Sequence, residues 1–257
     1  MMAERALVGA RNNAEWCDAM CRAHAVPGGF GARAWTSARR TPLLYPDAVT
    51  LTRDARADDV LGTVDTASAG CSVKDSFAAL DLTAEGFDVL FEAQWLHRPG
   101  DLPAPAAPPE TEWKQVTSPA GLTEWAAAWD GGQGLAGLFR PELLSDPAIT
   151  FLAAHSRSGT RQGRIVAGAV VNLGAGAAGV SNLFAVDDDL DGAWAGCLGA
   201  VARRWPGTPV VGYEHGDDLD AAIRQGCTPA GPLRVWLASG PAADHAAASS
   251  EPAAADT

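Results

Sequence analysis

The chain has 257 residues, an apolar fraction of 47% and a formal net charge of −12. That length allows one large or two modest domains with a buried core, and the acidity argues against general affinity for nucleic acid or anionic lipid. No run of about 18 apolar residues suggests a membrane span, Met1 to Cys17 lacks the apolar segment of a secretory signal, and five scattered cysteines do not make a disulfide framework. Reduced thiols and a cytoplasmic location are the expectation.

In chain order, Asn13 to His24 is predicted helical and is stopped by Pro27 and Gly28. Asp58 to Val64 is a short helix candidate. Ser76 to Leu82 and Phe87 to His97 read as two strands around Ala84-Glu85-Gly86, the second with Phe87, Val89, Phe91, Ala93 and Trp95 in period 2. Residues 1–97 therefore read as a small α+β unit. Arg98 to Glu110 is rich in Pro and Ala, which places an extended linker at 98–111.

Residues 112–239 form the second predicted unit. Pro119 to Trp129 is a helix with Trp125 and Trp129 four apart on one face. Pro141 to His155 is predicted as another, with Pro in its first turn. Strands follow at Arg164 to Leu173 and Val180 to Val186, then a helix at Ala193 to Trp205 and a strand at Pro209 to Tyr213. A helix at Leu219 to Gln225, capped by Gly226, leads to a last strand at Leu233 to Ala238. The segment 240–257 carries Ala, Ser, Pro and acids with no apolar face and is expected to be a disordered tail. Of the nine Trp residues, Trp16, Trp95, Trp125, Trp129 and Trp236 fall on predicted apolar faces. Trp35 and Trp113 fall in less regular segments and are candidates to line a cleft between the halves.

Three local patterns carry possible chemistry. Gly174-Ala175-Gly176-Ala177-Ala178-Gly179 spells the dinucleotide fingerprint, but it is followed by Val180 to Val186, half β-branched or aromatic, where a helix would be needed. A hairpin loop is expected, with dinucleotide binding as the lesser reading. Asp187-x-Asp189-x-Asp191-Gly192 matches the opening of a calcium loop, with Leu198 where the bidentate Glu belongs. Cys17, Cys21 and His24 lie at i, i+4 and i+7 of a helix; zinc needs a fourth ligand, and buried thiols are the default. No metal site is predicted.

The strings Arg164 to Val186 (RIVAGAVVNLGAGAAGVSNLFAV) and Val210 to Trp236 (VVGYEHGDDLDAAIRQGCTPAGPLRVW), with the element order around them, resemble the C-terminal core of the GNAT-type N-acetyltransferase superfamily. The likeness covers about half the chain. It implies an α/β (α+β) fold with a mixed central sheet flanked by helices. It also implies acetyl-CoA as co-substrate and a small-molecule or peptide amine as acceptor. The family's loop pattern, V-x-P-x-x-(Arg/Gln)-G-x-G-x-(Gly/Ala), falls on Val186 to Gly196, where Val186, Gly192 and Gly196 match. Asp191 stands in place of Arg or Gln, and Trp194 in place of the middle Gly. Phe184, Ala185, Val186, Gly192, Ala193 and Gly196 are thus the implied cofactor-binding positions. The resemblance places a splay of the sheet after the strand Arg164 to Leu173, with Ala169 and Phe184 on its two sides. No Tyr stands four residues before Gly226, so the catalytic candidates are Tyr213, Glu214 and His215 at a strand's C-terminal end. The alternative is a non-catalytic binding module on the same fold with its CoA loop decayed.

Overall fold

A computed structural model of the chain describes residues 2–68 and 70–239; the predicted tail at 240–257 lies outside the described residues. It begins with helix α1 (Met2–Ala23), strands β1 (Gly29–Phe30), β2 (Ala34–Thr36) and β3 (Ala48–Thr50), helix α2 (Ala57–Leu61), and strands β4 (Ser72–Asp75) and β5 (Phe87–Arg98). It continues with β6 (Thr111–Val116), α3 (Pro119–Asp130), β7 (Ile149–Ser156), β8 (Ile165–Gly174), β9 (Ala177–Ala185) and α4 (Leu190–Arg204). The chain closes with β10 (Val210–Glu214), α5 (Gly216–Arg224) and β11 (Thr228–Ala238). The described strands join one sheet in the order β1-β2-β3-β4-β11-β5-β10-β9-β8-β7-β6. It is a mixed α+β architecture. Neighbours are antiparallel except for β3 with β4 and β9 with β10.

Three expectations are corrected. Ser76 to Leu82 is not a strand. β4 ends at Asp75, whose carboxylate accepts from the backbone N–H of Phe77 (3.2 Å) and Leu80 (2.7 Å) and turns the chain. Pro141 to His155 is not one helix. A 3₁₀ turn covers Pro141–Ser145, and β7 starts at Ile149. Pro147 biases Asp146 away from helical geometry, and Ile149-Thr150-Phe151 favours a strand. A strand, β6, precedes the helix at Pro119, so the post-linker order starts with a strand.

Strand alternation sorts the core onto two faces of the sheet. On one, α1 and α3 cover Phe151, Ala153 and Val170, with Trp16 and Trp125 fully buried. Trp125 meets Phe139, Phe151 and Phe184 edge to face at 5.0, 5.0 and 5.4 Å, and its Nε1 donates to the Leu152 carbonyl at 2.8 Å. On the other, α4 covers Leu152, Ala169 and Val171 with Trp194, Leu198 and Val201. Trp35 does not line a cleft: it is buried in β2, its Nε1 donating to Asp18 Oδ1 at 2.9 Å. The five cysteines are free and buried.

The strand β5, from the first predicted unit, pairs antiparallel with β10 on one side and β11 on the other. It therefore sets the position of Tyr213 and Glu214, which stand opposite Trp95 and Gln94. The G-x-G-x-x-G string is a hairpin: Ala175 and Gly176 occupy the two-residue turn between β8 and β9, with φ of 49° and 75°. Positive φ at both turn positions suits a type I′ hairpin turn, which glycine tolerates best. No helix follows, so the dinucleotide mechanism has no place there.

Candidate active site at a fork between two strands

The sheet opens one strand later than the sequence suggested. β8 and β9 are zipped, with Gly168 opposite Phe184, because a tight hairpin joins them. The opening lies between the parallel neighbours β9 and β10, which pair only at Ala178 with Val210 and at Gly179 with Val211. Beyond those two pairs the strands part, leaving Ser181 to Ala185 on one arm and Gly212 to Glu214 on the other. Parallel partners are joined by a crossover helix, here α4, and not by a turn that would hold them together.

One arm is bulged. Ser181 pairs with Val170 and Phe184 with Gly168, so Asn182 and Leu183 together oppose Ala169 alone. Asn182 has φ of 51°. A bulge takes backbone groups out of the ladder and re-aims the side chains around it, and here it does so at the point where β10 departs.

A cavity of about 160 Å³ occupies the fork, walled by Ser181, Asn182 and Leu183 from β9 and Tyr213 and Glu214 from β10. The N-terminal segment supplies the rest of the wall, including Asn13, Tyr45 and Lys74. Glu214 is half-buried; desolvation, with the Asp218 charge second, pushes its carboxyl up to about 8. Lys74 Nζ donates to the Tyr213 hydroxyl at 3.1 Å and to Asn13 Oδ1 at 2.8 Å. Tyr45 is buried, and its hydroxyl donates to Asn182 Oδ1 at 3.4 Å. Of the three predicted catalytic residues, Tyr213 and Glu214 share this cavity. His215 is exposed outside its walls, its ring 5.5 Å from that of Phe91. Sequence reasoning missed Lys74, Asn13, Tyr45 and Asn182. The sequence around the first, Ser72-Val73-Lys74-Asp75-Ser76, is mostly polar and carries no local signal that the lysine is buried.

The implied cofactor positions are not all brought together. Ala185, Gly192 and Ala193 line a second cavity of about 330 Å³ beside the N-terminus of α4. Phe184 points into the α3 side of the sheet against Trp125, and Val186 is exposed. Gly196 lies a turn further along α4, where a Cβ would collide with Trp113 Nε1. It is the close seat of that indole on the helix. Trp194 is fully buried and faces the sheet.

The loop acids are largely occupied. Asp189 caps α4, its Oδ1 accepting from the Gly192 N–H at 2.9 Å. Asp187 pairs with Arg161. Asp191 accepts from Arg224 at 2.7 and 2.9 Å and from Gln225 at 3.0 Å; those bonds, the arginine's first, hold its carboxyl below the usual carboxylate range. The helix N-terminus, which would otherwise favour a diphosphate, already holds an anion of its own. Among the described residues no group of three or more His, Cys, Asp or Glu side chains is placed to hold a metal ion, and His24 Nε2 instead contacts the Leu138 carbonyl at 2.7 Å. No described helix is long and apolar enough to cross a membrane.

No family model matches the chain, and no curated protein matches it. Among solved structures, it is similar to a GCN5-related N-acetyltransferase from Kribbella flavida, with a TM-score of 0.60 at 18% identity, over 89% of this chain and 96% of that one. It is also similar to a functionally unknown conserved protein from Staphylococcus epidermidis, with a TM-score of 0.54 at 14% identity, over 68% of this chain and 74% of that one. At such identity the likeness is one of architecture, and it agrees with the forked mixed sheet: the chain has the fold of the GCN5-related N-acetyltransferases.

Proposed function

We propose that this chain transfers an acyl group from acyl-CoA to an amine bound in the cavity at the fork. The observation that carries the reading is the parting of β9 from β10, with a bulge on one arm and a half-buried carboxyl on the other. Each of those parts has a use in acyl transfer to nitrogen. Backbone N–H groups released at Asn182 and Leu183 suit an acyl oxygen that gains negative charge. Glu214, with its carboxyl near 8, exchanges a proton close to neutral pH and would take one from the amine. The Tyr213 hydroxyl, held by Lys74 as acceptor, keeps its own hydrogen to donate to a leaving thiolate.

Acyl-CoA, when bound, supplies the activated carbonyl. The residues present fit its acyl end, where Ser181 to Leu183 and Gly212 to Glu214 would hold it. At the diphosphate end, the Gly192 N–H would hold it only after the Asp189 carboxylate leaves that amide, while the Ala193 N–H stays bonded to the Asp189 carbonyl at 3.0 Å. A weak affinity for the nucleotide follows. That same cap favours the second reading, a non-catalytic module on this fold that binds its ligand at the fork alone.

The test is thermal melting with millimolar acetyl-CoA, alongside release of free CoA thiol with a panel of primary amines. Acyl transfer predicts a raised melting temperature and amine-dependent thiol release. If neither the native chain nor Asp189→Ala responds in either assay, acyl transfer is wrong. If only Asp189→Ala binds, the native loop is shut and the binding-module reading stands.

A further inference from the structure

Among the described residues, Lys74 is the one cation placed deep at the fork, at 4% exposure in β4. Its Nζ donates to Asn13 Oδ1 at 2.8 Å and to the Tyr213 hydroxyl at 3.1 Å, and it lies 4.2 Å from the centre of the Tyr213 ring. All these partners are neutral. An ammonium has three N–H donors, so one remains, and Lys74 makes no ion pair among the described residues. Lysine is almost never fully buried unless paired, because burying an unmatched charge is costly.

Lys74 borders open space of two kinds. Lys74 lines the fork cavity, and it also lines an adjoining groove of about 650 Å³. Leu44, Tyr45, Pro46 and Tyr213 are common to both, so the two spaces adjoin at the lysine. The groove is walled by apolar side chains, among them Leu90, Phe91, Val235 and Leu237. Leu44 and Leu90 stand 63% and 53% exposed along it. The other cation there, Arg40, is committed to Asp47 and to the Gly70 carbonyl. A buried cation beside an apolar trough selects a ligand with one anionic end and an apolar body.

We infer that Lys74 is the subsite for a ligand carboxylate, and that the acceptor is an apolar amino acid, its side chain in the Leu44–Leu237 groove and its amine toward Glu214. The amine's part in this rests on the acyl-transfer reading; the carboxylate subsite stands on Lys74 and the groove. The lysine comes from the N-terminal segment and the fork from the C-terminal one, so both segments are needed to bind the acceptor.

The experiment uses the full chain without any acyl donor. Calorimetric titration compares L-phenylalanine with L-phenylalaninamide, which keeps the ring and the amine and lacks the carboxylate. The acid should bind at least about tenfold more tightly than the amide, the scale of one lost charge-assisted hydrogen bond. Lys74→Met keeps most of the stem's volume and should abolish that preference. Equal binding of acid and amide to the native chain overturns the inference without any variant, as does no binding of either. Undiminished binding of the acid by a folded Lys74→Met does the same. If phenylalanine binds through Lys74 and is never acetylated from acetyl-CoA, the carboxylate subsite stands and acyl transfer falls.

Discussion

The fork and the helix-α4 loop are the two polar regions of this fold that a thioester nucleotide would have to bridge, and they treat charge in opposite ways. At the fork, Lys74 is buried among neutral partners and Glu214 is held as a reluctant acid. Both groups would gain from a polar ligand. At the loop, Asp187, Asp189 and Asp191 have each found a cation or an amide within the chain. One sheet, with helix α4 joining β9 to β10, positions both places. A scaffold offers a site only where its polar groups remain unmatched, and by that measure the fork is ready for a ligand while the loop is satisfied.

The sharpest way to break this contrast is at the fork. If Glu214 exchanges the amine's proton, Glu214→Gln should lower the transfer rate by about 10²-fold or more, the usual worth of a general base. The native rate should rise with pH through about 8, where the carboxyl loses its proton, and the variant should lack that limb. A variant with the native rate and the native pH profile would remove Glu214 from the chemistry.

Next in size is the loop. Asp189→Ala frees the Gly192 N–H and removes one negative charge from the helix N-terminus. Two like charges near 4 Å cost about 1 kcal/mol in water and more when partly buried, so acetyl-CoA should bind about tenfold more tightly. The helix meanwhile loses a cap worth about 1 kcal/mol, read as a lower melting temperature of the free protein. Tighter nucleotide binding in a less stable protein is the expected combination. An unchanged or weakened affinity would show that the cap is not what closes the loop.

The loop was the more legible region in the sequence and the fork the less. Four acids ahead of Gly192 are visible as letters, and a helix N-terminus with Asp in it follows from ordinary capping preference. Their partners Arg161 and Arg224 lie 26 and 33 residues from Asp187 and Asp191, as sequence numbers show, and only folding brings them in. Most strands and helices after Arg164 were readable because each pairs or packs with near neighbours in the chain. The place of the opening was not. Ala169 and Phe184 sit in a zipped hairpin, and which strand parts from which depends on the parallel register of β9 and β10. Lys74 is joined to Tyr213 across 139 residues, a contact with no local signature. Pro141 to His155 is ambiguous for a local reason: Pro141 suits the first turn of a helix, while Pro147 and the β-branched residues after it end that turn and start a strand.

A smaller effect tests the fork through stability alone. The Glu214 carboxyl is raised from 4.5 to about 8 by burial, so the folded state holds a proton that the unfolded chain releases. Relative to a side chain that does not titrate, this costs nothing below 4.5, costs stability increasingly between 4.5 and about 8, and reaches its full cost above that. The melting temperature of Glu214→Gln should therefore gain on that of the native chain as pH is raised from 5 to 9. Parallel melting curves over that range would mean that the carboxyl is well solvated and that the fork cavity is wetter than its walls suggest.

The smallest expected effect decides which part of the loop matters. Asp191 and Arg224 are joined by two-pronged bonds, yet their side chains are 46% and 55% exposed. Exposed pairs contribute little, and at 1 M salt the screening length falls to about 3 Å. The Asp191 carboxyl is lowered from 3.8 by Arg224 first and Gln225 second, so its stabilisation is present above 3.8 and is lost as pH falls through its folded value. Asp191→Ala should then cost a small, salt-sensitive amount of stability at neutral pH and none in strong acid, measured by melting. Its effect on acetyl-CoA affinity should be well below that of Asp189→Ala, because Asp189 occupies the amide and Asp191 adds only charge. Equal gains from the two substitutions would mean that summed repulsion, and not the capped Gly192 amide, keeps the nucleotide out.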